Sequence, residues 1–130
     1  MRTGLTLLLT LDPMVEEAMV VALLQEGGIS CLARTSDDAI RIVCSKGSEL
    51  ELAVIDFDHG SNGMTLMSAI DACANHHLPM LALTGAGEEH ARFVALANGA
   101  AECLAKPVSA EQLANVIIRY RPKWELAQVA

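Results

Sequence analysis

Leu52-Ala53-Val54-Ile55-Asp56 is an unbroken apolar run that ends on a carboxylate. A strand with one wet face alternates apolar and polar residues, whereas a run without interruption fits a strand covered on both faces, as in parallel sheets. Upstream, Leu5-Thr-Leu-Leu-Leu-Thr-Leu11 is a near-continuous apolar run and is predicted as the first strand. Asp12-Pro13 then supplies an N-cap and a proline suited to the first helical turn. Met14, Val15, Ala18, Met19, Ala22 and Leu23 recur at helical spacing until Gly27-Gly28 ends the helix. Ile29–Ala33 is a short second strand, followed by a helix capped by Thr35 or Ser36 and closed by Gly47. Downstream of Asp56, a loop over 57–62 leads into a helix carrying Met64, Leu66, Met67 and Ile70. Met80–Leu83 is the fourth strand, Glu88–Asn98 a helix, and Ala101–Ala105 the fifth strand, closed by Lys106-Pro107. Ser109 and Gln112 stand at capping-box spacing before a last helix through Tyr120.

Five strand–helix units in strict alternation predict an α/β fold, a doubly wound five-stranded parallel sheet with helices on both faces. The chain of 130 residues is one domain's length, read as 1–121 with a C-terminal tail or linker at 122–130. Apolar residues make up 52% and charged ones 19%, which excludes disorder. With four aromatic residues (two Phe, one Tyr, one Trp) the core is aliphatic, and a base-stacking platform is excluded. A net charge of −7 argues against nucleic acid or an anionic membrane as a direct partner. Cys31, Cys44, Cys73 and Cys103 contain no Cys-x-x-Cys pair and sit among apolar neighbours. They are expected to be buried, reduced thiols in a cytoplasmic protein.

In parallel sheets of this kind, ligand chemistry gathers at the C-terminal ends of the strands. There the sequence places Asp12, Asp56 with Asp58 nearby, Thr84 and Lys106. Carboxylates hold Mg²⁺, which prefers one or two of them plus water and phosphate oxygens. An ammonium and a hydroxyl can meet phosphoryl oxygens, and an aspartate can itself be the nucleophile. Phosphoryl transfer depends mainly on positioning and charge neutralisation, so these few parts suffice. Gly85, beside Thr84, is the small residue expected to leave a phosphate room.

The order and spacing of Leu-Asp-Pro at 11–13, Leu52–Asp56, Leu83-Thr84-Gly85, Gly99-Ala100 and Lys106-Pro107 resemble the receiver domain of two-component response regulators, over about residues 4–121. The resemblance implies a flavodoxin-like sheet, Asp56 as phosphoacceptor, and Mg²⁺ held by Asp12, Asp56 and the Asp58 carbonyl. It implies Thr84 and Lys106 on the phosphoryl group, and a histidine kinase or histidine phosphotransfer protein as donor. Receivers are phosphoacceptors, not enzymes in the ordinary sense, although they take part in their own phosphorylation and dephosphorylation. Their output surface is the fourth helix, fifth strand and fifth helix, here about 88–98, 102–105 and 110–120, available to a second copy or an output domain.

The departures are specific. The family's first acid of an adjacent pair is Leu11, its usual proline four residues after the phosphoacceptor is Gly60, and its aromatic switch residue in the fifth strand is Cys103. Two readings follow: a working phosphoacceptor with an altered switch, or a degenerate receiver that serves as a phosphorylation-independent docking or dimerisation module. A third reading takes Asp56-Phe-Asp58 as the Asp-x-Asp motif of haloacid-dehalogenase-type phosphatases, with Asp58 as general acid. Against it, that motif belongs on a first strand, and no acidic pair follows Lys106. His59 and His76-His77 read as loop or surface histidines. The basic cluster Arg119, Arg121 and Lys123 reads as a solvated helix end. No output domain follows in this chain, as expected of either a stand-alone regulator or a domain of a longer protein.

Overall fold

Parallel strands need crossover helices, and the alternation seen in the sequence supplies one after each strand. A computed structural model of the chain describes residues 4–57, 63–73 and 78–120. Its strands are β1 (Leu5–Leu9), β2 (Ile29–Ala33), β3 (Leu50–Asp56), β4 (Met80–Thr84) and β5 (Glu102–Ala105). Its helices are α1 (Pro13–Glu26), α2 (Ser36–Lys46), α3 (Gly63–Cys73), α4 (Glu89–Ala97) and α5 (Ala110–Tyr120). One 3₁₀ turn, Gly47–Glu49, precedes β3. All strands pair in parallel in the order β2-β1-β3-β4-β5, so the chain reverses direction across the sheet between β1 and β3. That reversal opens a crevice at the strands' C-terminal ends.

Side chains along a strand alternate between faces, and this alternation divides the core in two. Leu7, Leu9, Ala53, Ile55, Met80 and Ala82 meet Ala39 and Val43 of α2, Met67 and Ile70 of α3, and Ala95 of α4. Leu8, Leu52, Val54, Leu81 and Leu83 meet Val15 and Met19 of α1 and Leu113, Val116 and Ile117 of α5. Each fully buried leucine here contributes about 2 kcal/mol by leaving water.

Local signals set the helix ends. The Asp12 carboxylate accepts from the Met14 amide at 2.9 Å, and the Thr35 hydroxyl from the Asp38 amide at 3.1 Å, which selects Thr35 over Ser36 as the cap. Ser109 and Gln112 form the reciprocal box: the Gln112 amide donates to Ser109 Oγ at 3.1 Å, and the Ser109 amide to Gln112 Oε1 at 2.9 Å. Gly27 ends α1 at φ +77°, a conformation that favours glycine, and its amide reaches the Leu23 carbonyl.

Four strands differ in their ends from the sequence reading: β4 runs one residue further, to Thr84, and β5 starts one later, at Glu102. β1 stops at Leu9, not Leu11: the Thr10 hydroxyl turns to a long-range partner and Leu11 is 55% exposed. β3 begins at Leu50, since the charged Glu51 is buried within the strand. The cysteines also differ from expectation. Cys31 and Cys103 are half-buried, whereas Cys44 and Cys73 are exposed on α2 and α3. All four are free thiols, as expected.

Candidate functional site

β3 is a central strand, buried along its whole length, and Asp56 is its last residue. Its carboxylate is therefore carried to the crevice but kept at 3% exposure. An ionised carboxylate so far from water needs partners. The Lys106 ammonium supplies one, 3.0 Å from Oδ1 and 3.1 Å from Oδ2. Thr10 supplies another, its hydroxyl donating to Oδ2 at 2.7 Å. Thr10 is itself oriented, because its oxygen accepts the Asp12 amide at 3.0 Å. With a lone pair engaged there, the hydroxyl proton is directed at Asp56.

The register explains why Thr10 lies there. Leu9 pairs with Ile55 across β1 and β3, so the next step on each strand places Thr10 level with Asp56. Thr10 was missed in the sequence because it reads as one more member of the apolar first strand. The register alone reveals it. Asp12 lies further out, as the N-cap of α1, with its Oδ2 3.6 Å from the Lys106 ammonium. The two residues that follow β1 directly are thus Thr10 and Leu11, neither of them an acid.

Alternation assigns Thr84 to the opposite side. It shares the face of Met80 and Ala82 on β4, as Cys103 does on β5, and its hydroxyl lies 3.5 Å from Cys103 Sγ. The Lys106 amide donates to the Thr84 carbonyl at 2.7 Å, tying the start of the β5–α5 connection to the end of β4. The Lys106-Pro107 peptide bond is cis. A side chain built on Gly85 would meet the Glu88 carboxyl group at 3.1 Å, so the space expected beside Thr84 is bounded by an acid that the sequence reading placed only at a helix start. The structure thus brings Asp12, Asp56 and Lys106 together and adds Thr10. Thr84 sits beside them on the rim, engaged with Cys103. Asp58, His59, Gly60, His76, His77, Arg121 and Lys123 lie outside the described residues.

A family model described as the response regulator receiver domain matches residues 11–118. The chain belongs to this family. Solved receiver structures share the fold. A receiver domain protein from Clostridium thermocellum superposes with a TM-score of 0.80 at 22% identity, covering 95% of this chain and 98% of that one. The chemotaxis protein CheY4 of Vibrio cholerae gives a TM-score of 0.77 at 17% identity, over 92% and 99%. NtrX from Brucella abortus gives 0.74 at 22% identity over 97% of this chain, but only 28% of its own length. No curated protein matches the chain. The phosphatase alternative gives way to the family match.

As a receiver domain, the protein belongs to two-component phosphorelay signalling. Receivers typically bind Mg²⁺ in an acidic pocket, and the donors here can be tested for fit. Among the described residues no group of three or more His, Cys, Asp or Glu could hold a metal ion. Asp12 and Asp56 flank the same ammonium, and two carboxylates suffice for an ion that keeps most of its water. No helix among the described residues is long and apolar enough to cross a membrane.

Proposed function

We propose that this receiver accepts a phosphoryl group on Asp56 from a histidine kinase or a histidine phosphotransfer protein. The observation that carries the reading is the Lys106 ammonium within 3.1 Å of both Asp56 oxygens, on the crevice at the sheet's switch point. An Asp56 oxygen forms the O–P bond as the donor's P–N bond breaks. Lys106 faces the charge on the phosphoryl oxygens, and Thr10 holds the carboxylate's orientation. The Thr84 hydroxyl, now beside Cys103, is the group that turns to the phosphoryl oxygens. Asp12 and Asp56, with Asp58, are the residues that would hold Mg²⁺, and the bound ion supplies charge neutralisation.

Residues 1–121 are read as the receiver unit and 122–130 as a tail or linker. The α4–β5–α5 face exposes Phe93, Leu96 and Ile118, which suits a second copy or an output domain. Phosphorylation would bias two packings of that face. Without an aromatic ring at Cys103, the signal travels through the Thr84–Cys103 contact instead.

Treatment with acetyl phosphate and Mg²⁺, read by intact-protein mass spectrometry, tests the proposal. A phosphoryl adduct that Asp56→Asn abolishes supports it. No adduct, also with a histidine-phosphorylated donor, transfers the reading to a phosphorylation-independent docking module.

A further inference from the structure

α2 and α3 pack side by side against the sheet face that holds Leu7, Ile55 and Met80. Both helices run back from the crevice, so their C-terminal ends lie at the opposite edge of the sheet from Asp56. There each carries an exposed cysteine: Cys44 in the last turn of α2, and Cys73 as the last residue of α3. The two sulfurs are 29 positions apart in sequence and 3.7 Å apart in space, within hydrogen-bonding distance. A buried cysteine packs as a small hydrophobe, but an exposed pair in contact is open to chemistry.

We propose that Cys44 and Cys73 form a reversible redox site, a dithiol that a low-molecular-weight disulfide converts into an α2–α3 bridge. The Cys44 thiolate attacks one sulfur of the oxidant, forming a mixed disulfide and expelling one thiolate, which takes up a proton. Cys73, losing its proton, then attacks Cys44 Sγ and expels the second thiol. The protein gives up two electrons and two protons, and the oxidant leaves as two thiols. Hydrogen bonding to Cys44 is the main cause of a raised Cys73 pKa, which suits Cys73 to the second, resolving role. The sulfurs close from 3.7 Å to a bond of about 2.0 Å, within reach of side-chain rotation on neighbouring helices.

The bridge would close a loop that contains β3 and Asp56, so it is expected to restrict the unfolded chain and raise Tm by about 5–10 °C. The site does not depend on phosphoryl transfer, and its test does not use Asp56 chemistry. The reduced full chain is equilibrated with oxidised glutathione, alkylated and digested with trypsin without reduction. A link between peptides 42–46 and 47–92, reversed by dithiothreitol and accompanied by the Tm rise, is the expected result. Cys44→Ser and Cys73→Ser should each trap glutathione on the remaining sulfur and lose the Tm rise. Independent glutathione adducts on both sulfurs without a link, a link through Cys31 or Cys103, or an intermolecular dimer would overturn the proposal.

Discussion

The two halves of the crevice are built to different standards. On the side that faces α1 and α5, Thr10 and Lys106 hold the buried Asp56 carboxylate at 2.7–3.1 Å, with Asp12 further out, 3.6 Å from Lys106. On the side that faces α2, α3 and α4, Thr84 has a thiol at 3.5 Å where the family carries a ring. Sulfur is a weak hydrogen-bond partner. The charge-bearing half is therefore specified by contacts that are costly to break, and the half that would report its state is held loosely. In the proposed function, capture rests on the firmly held half and readout on the looser one.

Replacing one side chain in each half should separate them most widely. Lys106→Met leaves Asp56 buried without its ammonium and is expected to cost about 3 kcal/mol of stability. Cys103→Ala, on the other side, should cost about 1 kcal/mol or less. Urea denaturation of both variants makes the comparison, and equal losses would break it. Thr10→Val keeps the shape but removes the hydroxyl that serves Asp56 and the Asp12 amide, at an expected cost of about 1–2 kcal/mol by the same measurement.

Leu11→Asp sharpens the metal question. Leu11 is mostly exposed, so without metal the variant should stay within about 0.5 kcal/mol of the parent. An added acid that orders the ion's water should raise Mg²⁺ affinity about tenfold in a calorimetric titration. The smallest effect concerns Tyr120, at the end of α5. Desolvation raises its pKa, reinforced by the neighbouring Glu102 carboxylate, which Arg119 pairs with at 2.7 Å. The folded state thus favours the neutral phenol. That contribution is complete below the unfolded pKa near 10 and is lost as pH rises through the folded value. Tyr120→Phe should flatten the fall in stability above about pH 10, and an unchanged slope would remove Tyr120 from the account.

Much of this was legible before any coordinates. The near-continuous apolar run from Leu5 and the run ending on Asp56 already imply buried parallel strands, and Asp12, Thr35 and Ser109–Gln112 announce helix starts. Caps are local: a side chain meets an amide two or three residues away, so spacing alone identifies them. The parts that stayed hidden depend on distant pairing. Thr10 gains its role only when β1 and β3 pair in the observed register. Cys44 and Cys73 become a pair only because α2 packs beside α3, and apolar neighbours in sequence say nothing about which helix face a thiol takes. Glu51 reads as the residue before a strand, yet the strand runs through it. The acid pair is the instructive case: motif spacing finds Asp12, while the end of β1 at Leu9 shows that Thr10 occupies the level of Asp56.

The central claim is that Asp56 is where the phosphoryl group arrives. Borohydride reduction of the acetyl-phosphate-treated protein converts an acyl phosphate to the corresponding alcohol, and the tryptic peptide 47–92 contains Asp56. Homoserine at position 56, absent without acetyl phosphate, is the expected result. Homoserine at another aspartate, or none at all, would contradict the account.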